Sequence, residues 1–363
     1  MGIALATRTT REPQALTGRP KGWSWAWAGS LVCTGGLIVA AFARPAVALT
    51  IFWDIFVPLV PLLFLVAPGL WRDICPMAIL NQLPRRLGLH RTVRLPGGAH
   101  RYASIISVAL LCLIVPLRKV GLEQQGWALG VLLITVLLAA FVGGMLFKGK
   151  SGWCGTFCPL SQLESLYGQR PLVTIRDVHC RPCVGCVRTC YDLQPATAYI
   201  ANLHAADSGR APRRAWLAGV PPWLILVVNP RTSMAHATVM GLIGLYALVA
   251  AVAIGGVGLF LLCERLSRGR TYQVALGHVA VALNLYYLYA APVALHHLGA
   301  TNPIAPGVIR VGVAALSILW LRRALPAQRA YLQARPHHHL AAQCIAPIDR
   351  HNPVHARNSS EVR

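Results

Sequence analysis

Residues 127–160 read WALGVLLITVLLAAFVGGMLFKGKSGWCGTFCPL, and they decide the fold. Trp127–Phe147 carries no charge. At about 1.5 Å per residue it is long enough to cross a hydrocarbon core ~30 Å thick. Lys148 and Lys150 then mark a water interface, and Cys154 and Cys158-Pro159 follow at once. A membrane span thus delivers cysteines to its own end.

Working outward, the same apolar signal recurs. Spans are expected near Trp25–Phe42, Val47–Val66, Tyr102–Leu117, Ala237–Cys263, Tyr272–Leu295 and Pro306–Leu321. The run Trp216–Val228 is short and contains Pro221 and Pro222. If it crosses, the strongly basic segments all share one side: Arg8–Lys21, Arg72–Arg101, Lys148–Arg214, Arg265–Arg270 and the tail from Arg322. The positive-inside rule therefore favours about eight crossings with both termini cytoplasmic. The expected fold class is an all-α polytopic membrane protein of about eight transmembrane helices, with a small ferredoxin-like iron–sulfur insert on the cytoplasmic face. Its expected parts are a cytoplasmic tail (1–22), a four-helix membrane half (23–147), a cysteine-rich ferredoxin-like segment (148–214), a second membrane half (215–321) and a disordered, basic, His-rich tail (322–363).

Composition agrees. The 363 residues are 55% hydrophobic and only 12% charged, with a mean hydropathy of +0.53. That is too little charge to cover a soluble surface. The net charge of +23 comes from 34 Lys and Arg against 11 Asp and Glu. These cations lie between apolar blocks rather than on a nucleic-acid module, so membrane lipid is the expected partner and nucleic acid is not. Gly255-Gly256-Val257-Gly258 falls mid-span and reads as helix packing, not phosphate binding.

A weak internal repeat surrounds the cysteines. The segment Trp71–Leu83 aligns without a gap on Cys154–Leu166. Cys75-Pro76 falls on Cys158-Pro159, Leu80 on Leu163 and Leu83 on Leu166, with Trp71 in the place of Cys154. Two helix pairs would each deliver a Cys-Pro turn to one face.

There are 11 cysteines. Most fall on the expected cytoplasmic face, where thiols stay reduced. Cys180, Cys183, Cys186 and Cys190 are spaced C-x2-C-x2-C-x3-C, the bacterial ferredoxin run for a 4Fe–4S cluster. Pro182 and Gly185 suit its tight turns. Zinc is the competing occupant of C-x2-C pairs. In two-cluster ferredoxins the fourth cysteine of the run ligates the other cluster. Here Cys75, Cys154, Cys158 and Cys263 would then complete two clusters. The simpler alternative is one cluster on the run alone. Cys33 and Cys112 read as buried filler, and Cys344 has no assigned role.

A span followed by Trp153-Cys154-Gly155-Thr156-Phe157-Cys158-Pro159-Leu160 and then a ferredoxin run resembles the NosR/NapH-type membrane polyferredoxins, over about Tyr102–Pro195. The resemblance implies 4Fe–4S clusters at the cytoplasmic face of the inner membrane. It also implies electron transfer between quinol or a cytoplasmic donor and a partner redox protein. The chain departs from the pattern at Trp71 and at Tyr191, which replaces a proline, and it has one ferredoxin run where many members have two. Two other functions compete: a metal reductase or assembly factor for a respiratory enzyme, and a redox-sensing regulatory membrane protein.

The second half carries histidines near span ends. His236 with His296 or His297 is a candidate axial pair for haem b. Asp54 lies inside the second span and is a candidate proton relay, because burying its charge is costly. His337, His338, His339, His351 and His355 lie in the tail, where metal binding competes with plain solvation.

Overall fold

The computed structural model describes residues 23–89, 91, 93, 97–147, 153–154, 156–173, 199–200, 203, 217–228, 238–268, 270–297, 299 and 302–333. These residues are almost wholly helical, and the one β feature among them is the isolated pairing of Val93 with Phe147. Helix α1 is Trp23–Ala43. The second crossing joins α2 (Pro45–Leu49), a π-helical stretch Thr50–Phe56 and α3 (Val57–Val66). Pro58 has no N–H to give to the carbonyl four residues back. The backbone ahead of it takes the wider register, with the Val57 N–H on the Phe52 carbonyl.

Two short helices follow, α4 (Pro68–Ile74) and α5 (Pro76–Arg86). Helix α6 (Gly97–Leu117) ends in a second π-helical turn, Arg118–Leu122. Then come α7 (Gly126–Leu146), α8 (Pro159–Tyr167), α9 (Val220–Val228) and α10 (Val239–Leu266). The described chain closes with α11 (Thr271–His297), α12 (Ala305–Ala324) and α13 (Ala327–Gln333).

Six described segments are long and apolar enough to cross a membrane: Ser24–Ala43, Pro45–Val66, Ile105–Leu122, Gly126–Leu146, Val239–Leu266 and Thr271–His297. This is a multi-pass helical membrane protein. Val32, Val131, Ile254 and Val311 point outward from the bundle. In a bilayer those faces meet lipid tails and cost nothing.

Small residues set the helix contacts. A Cβ on Gly144 of α7 would stand 1.8 Å from the Asn81 carbonyl of α5. Asn81 in turn gives its side-chain N–H to the Ala140 carbonyl at 2.9 Å. Gly126 lets α7 meet the backbone of α1 at Ala41 in the same way.

Helix α9 runs antiparallel to α10. Gly219, just before it, abuts Gly256, and Leu224 packs with Val249 further along. Helix α12 runs antiparallel to α11. Tyr272 bonds the Ala324 carbonyl at one end, Asn284 meets Ser317 at 3.1 Å midway, and Arg310 caps the Leu288 carbonyl.

One end of the bundle gathers the cysteine-bearing turns. Cys75, Leu166, Tyr199, Phe260, Tyr272 and Trp320 share one buried core there. Helix α7 runs toward that end, since Cys158 follows it. Helix α10 also ends there, since Phe260 is in that core and Cys263 packs on it.

Candidate functional site at the cysteine end

Cys75 and Cys158 are built alike. Each precedes a proline that opens a helix. The proline ring bars the preceding residue from helical ψ and starts the next helix with a ready-made φ. Cys75 has φ −61° and ψ 120°, and Cys158 has φ −62° and ψ 119°. Both thiols are buried and neither is in a disulfide. The Cys158 carbonyl is held by the hydroxyls of Ser107 at 2.8 Å and Ser161 at 3.0 Å. Ser30 holds the Ile74 carbonyl at 2.6 Å, just before Cys75. The two turns therefore match in backbone geometry, as their sequence alignment implied.

Burial pushes the Cys75 thiol up to about 12 and the Cys158 thiol up to about 11. The Cys158 thiol and Glu164 also raise Cys75, while the N–H groups of Ala78 and Met77 pull the other way. Such thiols are protonated and inert by themselves. A bound cation or iron–sulfur unit supplies the positive charge that turns a buried thiol into a thiolate ligand. Two soft donors at one end of a bundle fit such a group, as part of a ligand set.

The other ligands are less defined. Cys154 and Cys263 are half-buried and pack against the core that contains Cys75. Among the described residues, no three of His, Cys, Asp and Glu converge tightly enough to hold a metal ion. Cys180, Cys183, Cys186 and Cys190 lie outside the described residues. Both flanks of that segment attach to the cysteine end: Val173 gives its N–H to the Val66 carbonyl at 2.8 Å, and Tyr199 and Ile200 are buried in the shared core. Trp71, which stands where the repeat would have a leading cysteine, packs instead on Phe64 with ring centres 5.4 Å apart.

Sequence reasoning missed one feature here. Arg72 and Glu164 form a buried ion pair, Nε to Oε1 2.6 Å, between the two repeat segments. Glu164 lies six residues after Cys158, and Asn81 lies six after Cys75. The repeat thus places a buried polar side chain at the same register twice. A signal existed: with only 11 acidic residues in the chain, a glutamate beside a membrane-end cysteine is conspicuous.

At the opposite end, two sequence candidates meet. His297 Nε2 lies 3.2 Å from Asp54 Oδ2. Neighbouring Arg118 pairs with Glu123 at 2.7 Å and lies over the Trp53 ring. Trp53 bonds the Leu122 carbonyl at 2.8 Å. The π-helical stretches Thr50–Phe56 and Arg118–Leu122 present these groups. His297 is thus engaged with a carboxylate, and the ring of His296 lies against it. His236 lies outside the described residues. No protein-family model, curated protein or solved structure matches this chain.

Proposed function

We propose that this chain is a membrane-bound iron–sulfur electron-transfer protein. The observation that carries the reading is the matched, buried Cys-Pro pair at the end of the bundle where the ferredoxin-spaced segment begins and ends. On this reading Cys75, Cys154, Cys158 and Cys263 join Cys180, Cys183, Cys186 and Cys190 in holding two 4Fe–4S clusters. Electrons pass between quinol or a soluble donor and a partner redox protein, as the resemblance to NosR/NapH-type polyferredoxins suggests. The protein relays electrons rather than transforming a substrate of its own.

The membrane is the inner membrane and the cysteine end is cytoplasmic. The cations Arg72, Arg85, Arg86, Arg265, Arg268, Arg322 and Arg323 belong to that end, which suits the positive-inside rule. Helices α7 and α10 both run toward the cysteine end, so the chain between them must recross, and α9 is the apolar segment available. Helix α12, 20 residues long, adds another crossing beside α11. With the six long apolar helices, these make eight crossings.

Iron and acid-labile sulfide analysis with EPR of the reduced, purified protein tests the reading. Two clusters give about eight iron atoms per chain, and a count of about four reduces the site to one cluster. Iron-free protein from anaerobic preparation overturns it. Cys183→Ser is expected to abolish the signal of the ferredoxin run, and Cys75→Ser with Cys158→Ser that of the bilayer-side cluster.

A further inference from the structure

Three hydrogen bonds draw arginines from separate parts of the chain onto one face of the cysteine end. The Trp320 indole N–H of α12 donates to the Gln169 carbonyl at 2.6 Å, which brings Arg170 to the helix end that carries Arg322 and Arg323. The Tyr272 hydroxyl donates to the Ala324 carbonyl at 3.2 Å, which sets Arg270 at the same helix end. The Thr271 hydroxyl donates to the Glu264 carboxylate and closes the turn that holds Arg265 and Arg268. All six arginines are exposed. Their anchors Gln169, Tyr272 and Ala324 are fully buried. The arginines therefore stand over the core of the bundle end, facing water, rather than on the rim that meets lipid. Among the described residues of that end the acids are withdrawn from the surface: Asp73 and Glu164 are buried, and Glu264 is held by Thr271. Arg170 and Arg268 have φ of 49° and 54°, the left-handed region that glycine occupies without strain. Residues held there cluster at functional sites. Cys263 lies two residues before Arg265 and packs on the core that contains Cys75, so the patch borders the cysteine turns.

We propose that this arginine patch is the docking surface for an acidic, water-soluble electron-carrier protein. Clustered cations with their neighbouring acids withdrawn create a positive field that steers an oppositely charged partner and fades as salt rises. Guanidinium groups suit such a partner, because each planar fork can bond both oxygens of a surface carboxylate. The positive-inside rule accounts for cations at this end. It does not account for their convergence over the buried core through three separate bonds. An anionic lipid headgroup would meet them at the rim instead. The docking surface stands on the arginines alone. That its partner carries electrons rests on the electron-transfer reading, since the patch borders the site assigned to the clusters.

The test uses full-length protein in phosphatidylcholine nanodiscs, with a strongly acidic [2Fe–2S] ferredoxin as the probe and a basic cytochrome c as its opposite. The wild type is expected to bind the ferredoxin about tenfold or more tightly at about 30 mM than at about 300 mM salt, and the cytochrome weakly at both. The triple variant Arg170→Gln, Arg322→Gln, Arg323→Gln is expected to lose about tenfold in ferredoxin affinity at low salt, with wild-type iron content and melting temperature. Lysine at the same three positions is expected to keep the binding, which separates charge from folding. Arg44→Gln, at the opposite end, is expected to bind like wild type. Undiminished ferredoxin binding in the glutamine variant, or equal binding of the cytochrome, overturns the proposal. Phosphatidylglycerol retention that falls in the glutamine variant while ferredoxin binding holds assigns the patch to lipid and also overturns it. Iron-free protein that still binds ferredoxin sinks the electron-transfer reading alone, and iron-loaded protein that does not bind sinks this proposal alone.

Discussion

A buried thiol is a weak acid, and Cys75 and Cys158 show it at the residue scale. Their folded values, about 12 and about 11, lie above the ordinary thiol value of 9.0. The sign follows: a raised folded value means the folded state holds its proton longer than the unfolded state. Stability is therefore intact below about pH 9 and is lost as pH rises toward 11 to 12. Metal-free protein is accordingly expected to melt at lower temperature from pH 9 upward. Its two thiols are expected to resist iodoacetamide at pH 7, read by mass spectrometry. Rapid alkylation at pH 7 would show that burial does not govern them. The ion pair gives a second outcome. Glu164→Leu removes the carboxylate that faces buried Arg72 and is expected to cost about 3–5 kcal/mol, while Arg72→Met with Glu164→Leu recovers most of it. Thermal melting of the three proteins in detergent reads the difference.

Elements meet here through small residues. The close approach of α5 to α7 depends on Gly144, because a methyl group would strike the Asn81 carbonyl at 1.8 Å. Gly144→Ala is expected to force the helices apart at about 1–3 kcal/mol. Because α5 hangs from Cys75, the same change is expected to weaken the Cys75 turn. Melting in detergent, with iron content alongside, measures both. By contrast Gly255 and Gly258 have open space around them, and Gly255→Ala is expected to leave both readouts unchanged. Helix α9 illustrates the other side of element-scale logic. At nine residues it extends only about 13 Å, and its antiparallel packing on α10, not its length, makes it a crossing candidate.

For the whole molecule, the decisive quantity is which loop faces which side. With native thiols blocked, Thr238→Cys and Asn302→Cys are expected to react with a membrane-impermeant maleimide from the same side as Gln124→Cys. Ser267→Cys is expected to react from the other side, with the cysteine turns. Labelling of Thr238→Cys and Ser267→Cys from one side would remove α10 as a crossing. The arrangement also gives the molecule two polar ends: Arg72–Glu164 with the thiols at one, and Asp54–His297 with Arg118 at the other.

The sequence by itself determined the membrane class and the places of the six long apolar helices. Hydropathy is a transfer property of a continuous segment, so Trp127–Phe147 declares itself without its neighbours. It also determined the Cys-Pro turns, since proline acts on the residue directly before it. Only the tertiary structure decided that Arg72 meets Glu164 and that Asp54 meets His297. These partners are far apart in the chain and sit on different helices. No helical period or local propensity links them, and packing of small residues such as Gly144 sets which faces touch.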